Sequence, residues 1–469
     1  MLTRRHMLCL TAAAITHPAA GHAVTDVSGL VARLGRPLRV LVPNGSQANL
    51  APIIRSFETR FACPVMQVVT DVDNINATLA IEAVTQGQQI DVALPATFGI
   101  PDLVEVDAIR PLDEFANIYE PSRDAASMLY RTGDVFDDQK WGYQTDGDVY
   151  MMFYHRDLIE SEDEKARFAD QFGKPLILPQ DWDDFDQQLA YFHRPAEGVY
   201  GGCLFRTAIY AAWEWWARFH AKGVWPFSPS MTPQIDGEAG VEALEAMIRS
   251  GAHLTGSDLG LFDNWARYKK GDIYASIGWG GTQKSLRAPG SEMRGRVIPA
   301  RLPCGLMDGK HVGMSYFNWG WSYVVTRHSP APELAYLFSR HAVSGTASGQ
   351  AVAERDGFFD PFREEHYDNP QIVDVYGKAF LDEHKEAMSQ AIPDLYLARR
   401  NEYFEALSFW LDAALEGKES PQDALRHVSN AWRLTTARVG HGAQEARWDA
   451  LRRRYPADLR SQLRDLPNH

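Results

Sequence analysis

Cysteine is scarce in this chain, which has only 4 cysteines among 469 residues. They stand far apart and form no CxxC pair. Neither a disulfide framework nor a zinc knuckle can be made from such spacing. The sequence therefore predicts free, buried thiols at Cys63, Cys203 and Cys304, while Cys9 falls within the N-terminal segment discussed below.

Motifs of catalysis and cofactor binding are also missing. The chain has no HExxH, no GxSxG elbow and no Walker A loop, and its 15 histidines show no metal-ligand spacing. Adjacent acids such as Asp183 and Asp184 point to different faces of a helix, whereas a glycosidase needs two carboxyls facing across one bond. We therefore expect no enzyme, metal or cofactor. An exported carbohydrate-active enzyme is kept as an alternative.

Long apolar runs and positive charge are lacking as well. Beyond the N-terminus, no uncharged run is long enough to span a bilayer, which predicts a soluble mature protein. The formal net charge of −14 at pH 7 weakens any attraction to phosphate backbones. We therefore expect no nucleic-acid partner.

Residues 1–23 are typical of an export signal. Arg4 and Arg5 precede a short apolar run, and small residues stand at Gly21 and Ala23, the two positions that a signal peptidase inspects. The pattern resembles a twin-arginine signal, with an ordinary Sec signal as the alternative. Either route predicts a periplasmic protein that begins near Val24.

The length predicts two lobes or more. Apolar runs at residues 38–42, 65–69 and 90–94 read as strands, and the stretches between them carry helical stripes. This β-α-β-α-β order predicts a parallel sheet that binds ligand beyond the carboxyl ends of its strands. Longer helical stripes after residue 200 indicate a second lobe. Helices are expected to begin at Ser329-Pro330 and Ser420-Pro421. The serine hydroxyl can accept a hydrogen bond from a free backbone N–H of the first turn, and proline has no N–H that would need a partner.

Several motifs occur in a characteristic order along most of residues 38–435. They are FETRFACPV at 57–65, IDVAL at 90–94, DVYMMFYHRDLI at 148–159, DWDDFDQQLAYF at 181–192, KKGDIYASIGWGG at 269–281, WGWSYVVTRHSPAPELAYLFSRHAVS at 319–344 and LEGKESPQDAL at 415–425. Together they resemble the family 1 extracellular solute-binding proteins of carbohydrate ABC importers. Ile90 departs from the pattern, because family members often carry proline there.

The resemblance implies an α/β, two-lobed periplasmic binding protein fold of type II, with mostly parallel sheets flanked by helices and a hinge of three segments. Crossings are expected near residues 146–149, 276–279 and 325–329. The N-terminal lobe would hold residues 25–147 plus 278–327, and the C-terminal lobe residues 148–277 plus 328–469. The tail after Gly440 is expected to dock on the surface, with a partner-binding element as the alternative.

Acidic and aromatic residues near the expected crossings are the first ligand-binding candidates. Asp146 and Asp148 flank Gly147 in the first crossing, where carboxylates can accept hydrogen bonds from hydroxyl groups; the alternative is that both cap a turn. Trp279 lies in a glycine-rich loop after a strand, where the family places an aromatic against the sugar; packing under the loop is the alternative. Trp319 and Trp321 resemble a glycine-tryptophan turn that reaches the cleft, and they could instead form the hinge wall.

Three further candidates have weaker signals. Asn44 ends the first strand on the side where such sheets bind ligands, although a plain turn role is the alternative. Arg363 resembles a family position that contacts solute, but a surface salt bridge would explain it as well. Trp213 lies beside the stripe of a helix and is a further cleft candidate.

Indole rings and carboxylates suit a neutral polyhydroxylated ligand, which offers C–H faces and hydroxyl groups. The resemblance thus implies a monomeric binding protein that passes a sugar, oligosaccharide or sugar alcohol to the membrane permease of an ABC importer. A cationic solute such as a polyamine or a quaternary ammonium compound is the alternative for the same fold.

Overall fold

The computed structural model describes residues 27–120 and 127–466. The export signal expected at residues 1–23 lies outside these ranges. Within them, every helix is too short or too polar to cross a lipid bilayer.

The sheet of the first lobe has five strands. Across the sheet they are Val65–Thr70, Leu38–Pro43, Val92–Ala93, Ser322–Val325 and Gly142–Gln144. The first three run parallel, which confirms the predicted β-α-β-α-β order. Ser322–Val325 is antiparallel to both of its neighbours, so a late segment of the chain completes this sheet.

The sheet of the second lobe has four strands. Across the sheet they are Val297–Arg301, Met151–His155, Ile273–Gly278 and Tyr200–Cys203. Only the last pair is parallel, so the prediction of a mostly parallel sheet is wrong for this lobe. The two central strands are buried along their whole length, as expected when helices cover both faces of a sheet. Three short ladders pair Val135–Phe136 with Gln139–Lys140, Gly305–Met307 with Lys310–Val312, and Ser315–Tyr316 with Ala391–Ile392.

Among the described residues, seven helices pack in the first lobe, and the other helices are grouped with the second sheet. The first group is Val27–Leu34, Gln47–Phe61, Ile75–Val84, Ile100–Glu105, Asp113–Tyr119, Pro332–Ala342 and Gly345–Val352. The others are Arg156–Ile159, Glu162–Phe172, Trp182–Phe192, Ala208–His220, Glu238–Gly251, Leu261–Tyr268, Gly280–Arg287, Pro370–Tyr376, Lys378–Ser389, Arg400–Leu415, Pro421–Val439, His441–Arg452 and Ala457–Gln462.

Several elements depart from the predicted lobe boundaries. Val297–Arg301, expected in the N-terminal lobe, pairs with Met151–His155 in the second sheet. Pro332–Ala342 and Gly345–Val352, expected in the C-terminal lobe, pack against Gln47–Phe61 in the first lobe. The apolar faces of these segments match sheets and helices that are distant in sequence, and local motifs carry no information about such pairing.

One predicted helix start is confirmed and the other is displaced. The Ser420 hydroxyl accepts a hydrogen bond from the backbone N–H of Asp423 at 3.1 Å, as an N-cap should. The Ser329 hydroxyl instead accepts from Ala331 N–H at 3.2 Å and donates to Asp91 at 2.8 Å, so the helix begins later, at Pro332.

The tail after Gly440 docks on the second lobe, as expected. Trp448 is fully buried, and its ring lies 5.7 Å from the rings of both Trp225 and Phe227. Tyr455 is hydrogen bonded to His220 at 3.1 Å. The chain end adds a backbone bridge, because Arg464 N–H donates to the Gly223 carbonyl at 3.0 Å. The tail is therefore part of the folded body.

Candidate functional site

A small cavity of about 40 Å³ lies where the two lobes meet. Five predicted residues line it together, namely Asn44, Asp148, Trp279, Trp319 and Trp321. Its other lining residues are Val72, Leu261, Phe262, Trp265, Gly281 and Phe358. The lining residues follow strands of both sheets, so the cavity lies between the two sheets.

The first lobe supplies one wall from the carboxyl ends of its strands. Asn44 directly follows Leu38–Pro43, and its backbone N–H donates to the Thr70 carbonyl at 2.8 Å. Trp319 and Trp321 flank Gly320, whose φ of +64° is a left-handed conformation that favours glycine. The N–H of Gly320 donates to Asp148 at 3.2 Å. This turn therefore holds the two indoles and the carboxyl of Asp148 in one wall.

The second lobe supplies Trp279 at the end of its central strand. Trp279 follows Ile273–Gly278 and is the N-cap residue of Gly280–Arg287. Its indole N–H donates to the Asn318 side chain at 2.9 Å, which ties the two lobes together beside the cavity. Its ring stands at 85° to that of Trp319, with centroids 5.8 Å apart. The two rings thus form a corner of the site.

Sequence reasoning missed three of the six aromatic residues that line the cavity among the described residues. Trp265 and Phe262 lie on the short amphipathic helix Leu261–Tyr268, just before the strand that leads to Trp279. Their position just before a predicted strand could have identified them as candidates from the sequence. Phe358 and Val72 lie in connecting segments with no motif of their own, and only the folded chain brings them to the site.

Three carboxyl groups cluster behind this wall. One oxygen from each of Asp146, Asp148 and Asp360 lies within 4.8 Å of the others, and all three residues are buried. Asp146 accepts from the backbone N–H of Asp360 at 2.6 Å, and Asp360 accepts from Gly280 N–H at 2.6 Å. Asp360 was not predicted, because no sequence motif links it to residues 146–148.

A single buried lysine faces this cluster. The ammonium of Lys284 donates to the carbonyls of Glu354 and Phe359, at 2.9 and 3.1 Å. It supplies positive charge to Asp360 and Asp146. Burial lowers the pKa of Lys284 to about 8.

Burial also raises the pKa of each carboxyl group in the cluster. The pKa of Asp360 rises to about 7. The pKa of Asp148 rises well above its ordinary value because of burial and the neighbouring Asp360 charge, and that of Asp146 rises because of burial and Asp148. Three carboxylates beside one ammonium favour retention of protons at neutral pH. The cluster therefore presents little net charge to the cavity.

The remaining predicted residues do not line the cavity. Asp146 lies behind it, within the carboxyl cluster. Trp213 is buried in a second layer, where its ring packs 5.3 Å from Trp319. Arg363 lies elsewhere, with its guanidinium bonded to the Val343 carbonyl at 2.8 Å and to Glu365 at 2.6 Å. The salt-bridge alternative thus describes the Arg363 contacts in this structure.

Two indole N–H groups beside the cavity lack a hydrogen-bond partner. Those of Trp265 and Trp319 are buried, and neither has an acceptor among the described residues. Unpartnered indole N–H groups also occur in the packed core, at Trp216 and Trp448. The first pair differs from these in belonging to residues that line the cavity.

Comparison with known proteins identifies both the family and the fold. Residues 65–376, well over half of the chain, match the family described as bacterial extracellular solute-binding protein. No curated protein sequence gives a significant match.

Solved structures with similar folds cover most of the chain. A maltose-bound MalE3 from T. maritima has a TM-score of 0.71 at 15% identity, covering 85% of this chain and 99% of its own. An ABC transporter solute-binding protein from Agrobacterium radiobacter, in complex with ribitol, gives the same four values. One from Agrobacterium vitis with bound D-mannitol has a TM-score of 0.68 at 19% identity, covering 86% and 99%.

These likenesses confirm the two-lobed periplasmic binding protein fold. The family and its structural relatives are binding proteins rather than enzymes. Because the family match covers well over half of the chain, the protein is a member of the bacterial extracellular solute-binding protein family.

Proposed function

We propose that the protein is the solute-binding component of an ABC importer and captures a sugar or sugar alcohol in the cavity between its lobes. The family is extracellular, and structural relatives bind maltose, ribitol and D-mannitol. The protein would act as a periplasmic monomer and deliver its solute to a membrane permease. It would not transform the solute.

The pair of unpartnered indole donors carries this proposal. Hydroxyl oxygens of a polyol can accept from Trp265 and Trp319, while the faces of the surrounding rings pack against its C–H groups. Asn44 and Asp148 add an amide and a carboxyl that bond hydroxyl groups in either direction. Arg363, Trp213 and Asp146 are left out of the proposed contacts.

A cationic solute suits the cavity less well. A quaternary ammonium ion has no acceptor for the two indole N–H groups, and a polyamine in its charged form has none either. The carboxyl cluster keeps protons because burial raises its pKa values, so little negative charge is available to attract a cation. The cavity therefore favours a neutral solute.

A thermal-shift screen tests the proposal directly. The mature chain would be heated with ribitol, D-mannitol, D-tagatose, maltose, spermidine or choline, and hits would be titrated by calorimetry. A ligand selective for the folded state raises the melting temperature by mass action. We expect saturable binding of at least one sugar or sugar alcohol, with no turnover. Binding of spermidine or choline alone would overturn the proposal.

A further inference from the structure

The carboxyl group of Asp148 connects the cavity to the buried cluster behind it. Asp148 lines the cavity, and its Oδ2 accepts from the N–H of Gly320 at 3.2 Å. The same carboxyl group is hydrogen bonded to that of Asp360. Two ionised carboxylates have no hydrogen to share, so this bond requires one of the two groups to be a neutral acid. A proton is therefore part of the geometry of this pair.

The surrounding donors determine which group of the pair holds that proton. Asp360 accepts from the N–H of Gly280 at 2.6 Å and from the hydroxyl of Tyr376 at 3.0 Å. The ammonium of Lys284 adds a positive charge beside Asp360. Among the described residues, Asp148 has one backbone donor and no neighbouring cation. Because donors and cations stabilise the ionised form of a carboxyl group, Asp360 is the ion and Asp148 is the acid that donates to it.

Asp146 is the third carboxyl group of the cluster. Its Oδ1 accepts from the N–H of Asp360 at 2.6 Å, whereas its Oδ2 is buried without a partner among the described residues. One oxygen of each of the three groups lies within 4.8 Å of the others. Full ionisation would place three negative charges beside the ammonium of Lys284, and like charges at this distance disfavour ionisation. The cluster therefore keeps protons that isolated carboxyl groups would lose.

The other titratable groups around the cluster keep their charge in weakly acidic and neutral solution. His384 is bonded to the Gly147 carbonyl at 2.9 Å, and burial lowers its pKa to about 4, so it stays neutral. Burial lowers the pKa of Lys284 to about 8, so its ammonium is charged below that pH, and Glu354 acts on it as a negative charge. Burial raises the pKa of the neighbouring tyrosines, which are Tyr323, Tyr367 and Tyr376.

Closure around a solute removes water from Asp148. This residue is only 8% exposed with the lobes together, so water solvates it freely only when they are apart. The repulsion between two unit charges rises about fourfold when the effective dielectric constant falls from about 80 to about 20. A hydroxyl group of the solute can replace one water at Asp148, but it brings no positive charge to offset Asp360. Closure therefore favours the form of the pair that holds a proton.

We propose that solute binding is coupled to proton uptake, with the pair Asp148 and Asp360 taking a proton from solvent as the lobes close, so that affinity falls as the pH rises. This inference rests on the proposed function and adds the regulation of the same site. The bound form keeps the proton to a higher pH than the free form, so binding weakens as the pH rises between the two ranges. Asp148 meets the solute, whereas Asp360 acts through Asp148 and is a positioning residue.

Calorimetric titration of the mature chain with ribitol, D-mannitol, D-tagatose and maltose between about pH 5.5 and about pH 7.5 tests the coupling. One fully coupled proton changes affinity by about tenfold per pH unit, and we expect the dissociation constant of a solute that binds to rise at least about threefold across this range. Titrations in phosphate and in Tris buffer, whose heats of ionisation differ, should show net proton uptake at about pH 7.5.

The variants Asp148→Asn and Asp360→Asn test the assignment to this pair. An amide at either position can donate to the remaining carboxyl group but does not titrate. We therefore expect the dissociation constant of each variant to change less than about twofold across the pH range, with less proton uptake. Asp412→Asn is the control, because Asp412 is a partly buried acid on the helix Arg400–Leu415 that does not line the cavity. This variant should keep the coupling of the unaltered chain.

The outcomes separate this inference from the proposed function. If a solute binds equally well across the pH range, or binds with proton release, the coupling is wrong and the proposed function stands. The inference is also wrong if both variants of the pair keep the coupling, or if a folded Asp148→Asn variant binds no solute at any pH. Asp360→Asn decides alone if Asp148→Asn does not fold. If no solute binds the unaltered chain at any pH, the proposed function fails, and this inference fails with it.

Discussion

At the residue scale, the indole N–H of Trp319 should contribute to ligand affinity apart from its ring. Trp319→Phe keeps an aromatic wall and removes the unpartnered donor. A neutral hydrogen bond contributes about 0.5–1.5 kcal/mol, so we expect the dissociation constant to rise by roughly two- to tenfold. Calorimetric titration with the strongest ligand from the thermal-shift screen would measure this change.

A matched control for that variant is Trp216→Phe. The Trp216 indole N–H is also buried without a partner among the described residues, but Trp216 does not line the cavity. We expect Trp216→Phe to alter the melting temperature and leave the dissociation constant unchanged. Equal affinity losses in both variants would show that the donor of Trp319 does not meet the ligand.

The carboxyl cluster predicts a pH-dependent contribution to stability. Burial raises the pKa of Asp360 to about 7, above the ordinary value of 3.8. Asp360 contributes fully to the free energy of unfolding below its pKa in the unfolded chain. This contribution is lost as the pH rises through its pKa in the folded protein, so it falls between about pH 4 and pH 7. The shift corresponds to about 4 kcal/mol at most, at about 1.36 kcal/mol per pKa unit.

The variant Asp360→Asn isolates that contribution. We expect the difference in melting temperature, variant minus unaltered protein, to increase from pH 5 to pH 8, because the amide does not titrate. Asp412→Asn is the comparison: Asp412, on the helix Arg400–Leu415, is only partly buried and burial raises its pKa in the same direction, so we expect a smaller increase there. A pH-independent difference for Asp360→Asn would contradict the expectation.

At the element scale, the sequence predicted most local structure correctly. The strand at 38–42 and the helix after it follow from hydrophobic periodicity, and the structure has Leu38–Pro43 and Gln47–Phe61. The displaced start at Pro332 shows the limit of such reasoning. Ser329 donates to Asp91, which is 238 residues away, and that long-range bond replaces the local cap.

The docked tail makes a stability prediction of its own. Removing residues 441–469 would expose Trp225 and Phe227, which Trp448 covers. Losing one buried tryptophan in a core costs about 3–5 kcal/mol, so we expect a clearly lower melting temperature. Thermal unfolding monitored by circular dichroism would measure it. An unchanged melting temperature would instead favour the partner-binding alternative for the tail.

At the scale of the whole molecule, strand ends were easier to predict from the sequence than the pairing of distant segments. Asn44, Asp148 and Trp279 were located from strand ends and from a family resemblance, and the structure brings all three to one cavity. Phe262 and Phe358 reach it only because distant segments fold together, which leaves no local signature. Val297–Arg301 was misplaced for the same reason, since its partner strand lies over 140 residues earlier.

The two-lobed architecture predicts closure on binding. Trp279, Trp319 and Trp321 are each less than 10% exposed, so a solute can reach them only when the lobes have moved apart. The free protein should therefore populate an open form whose radius of gyration falls when solute is added. Small-angle X-ray scattering with and without saturating ligand measures that change.

Trp279→Ala removes the corner ring and the hydrogen bond to Asn318. At the same solute concentration, a smaller fraction of the protein molecules should therefore adopt the closed form. An identical radius of gyration with and without a ligand that calorimetry shows to be bound would mean that the solute enters without hinge motion, and the walls of the cavity would then have to open locally instead.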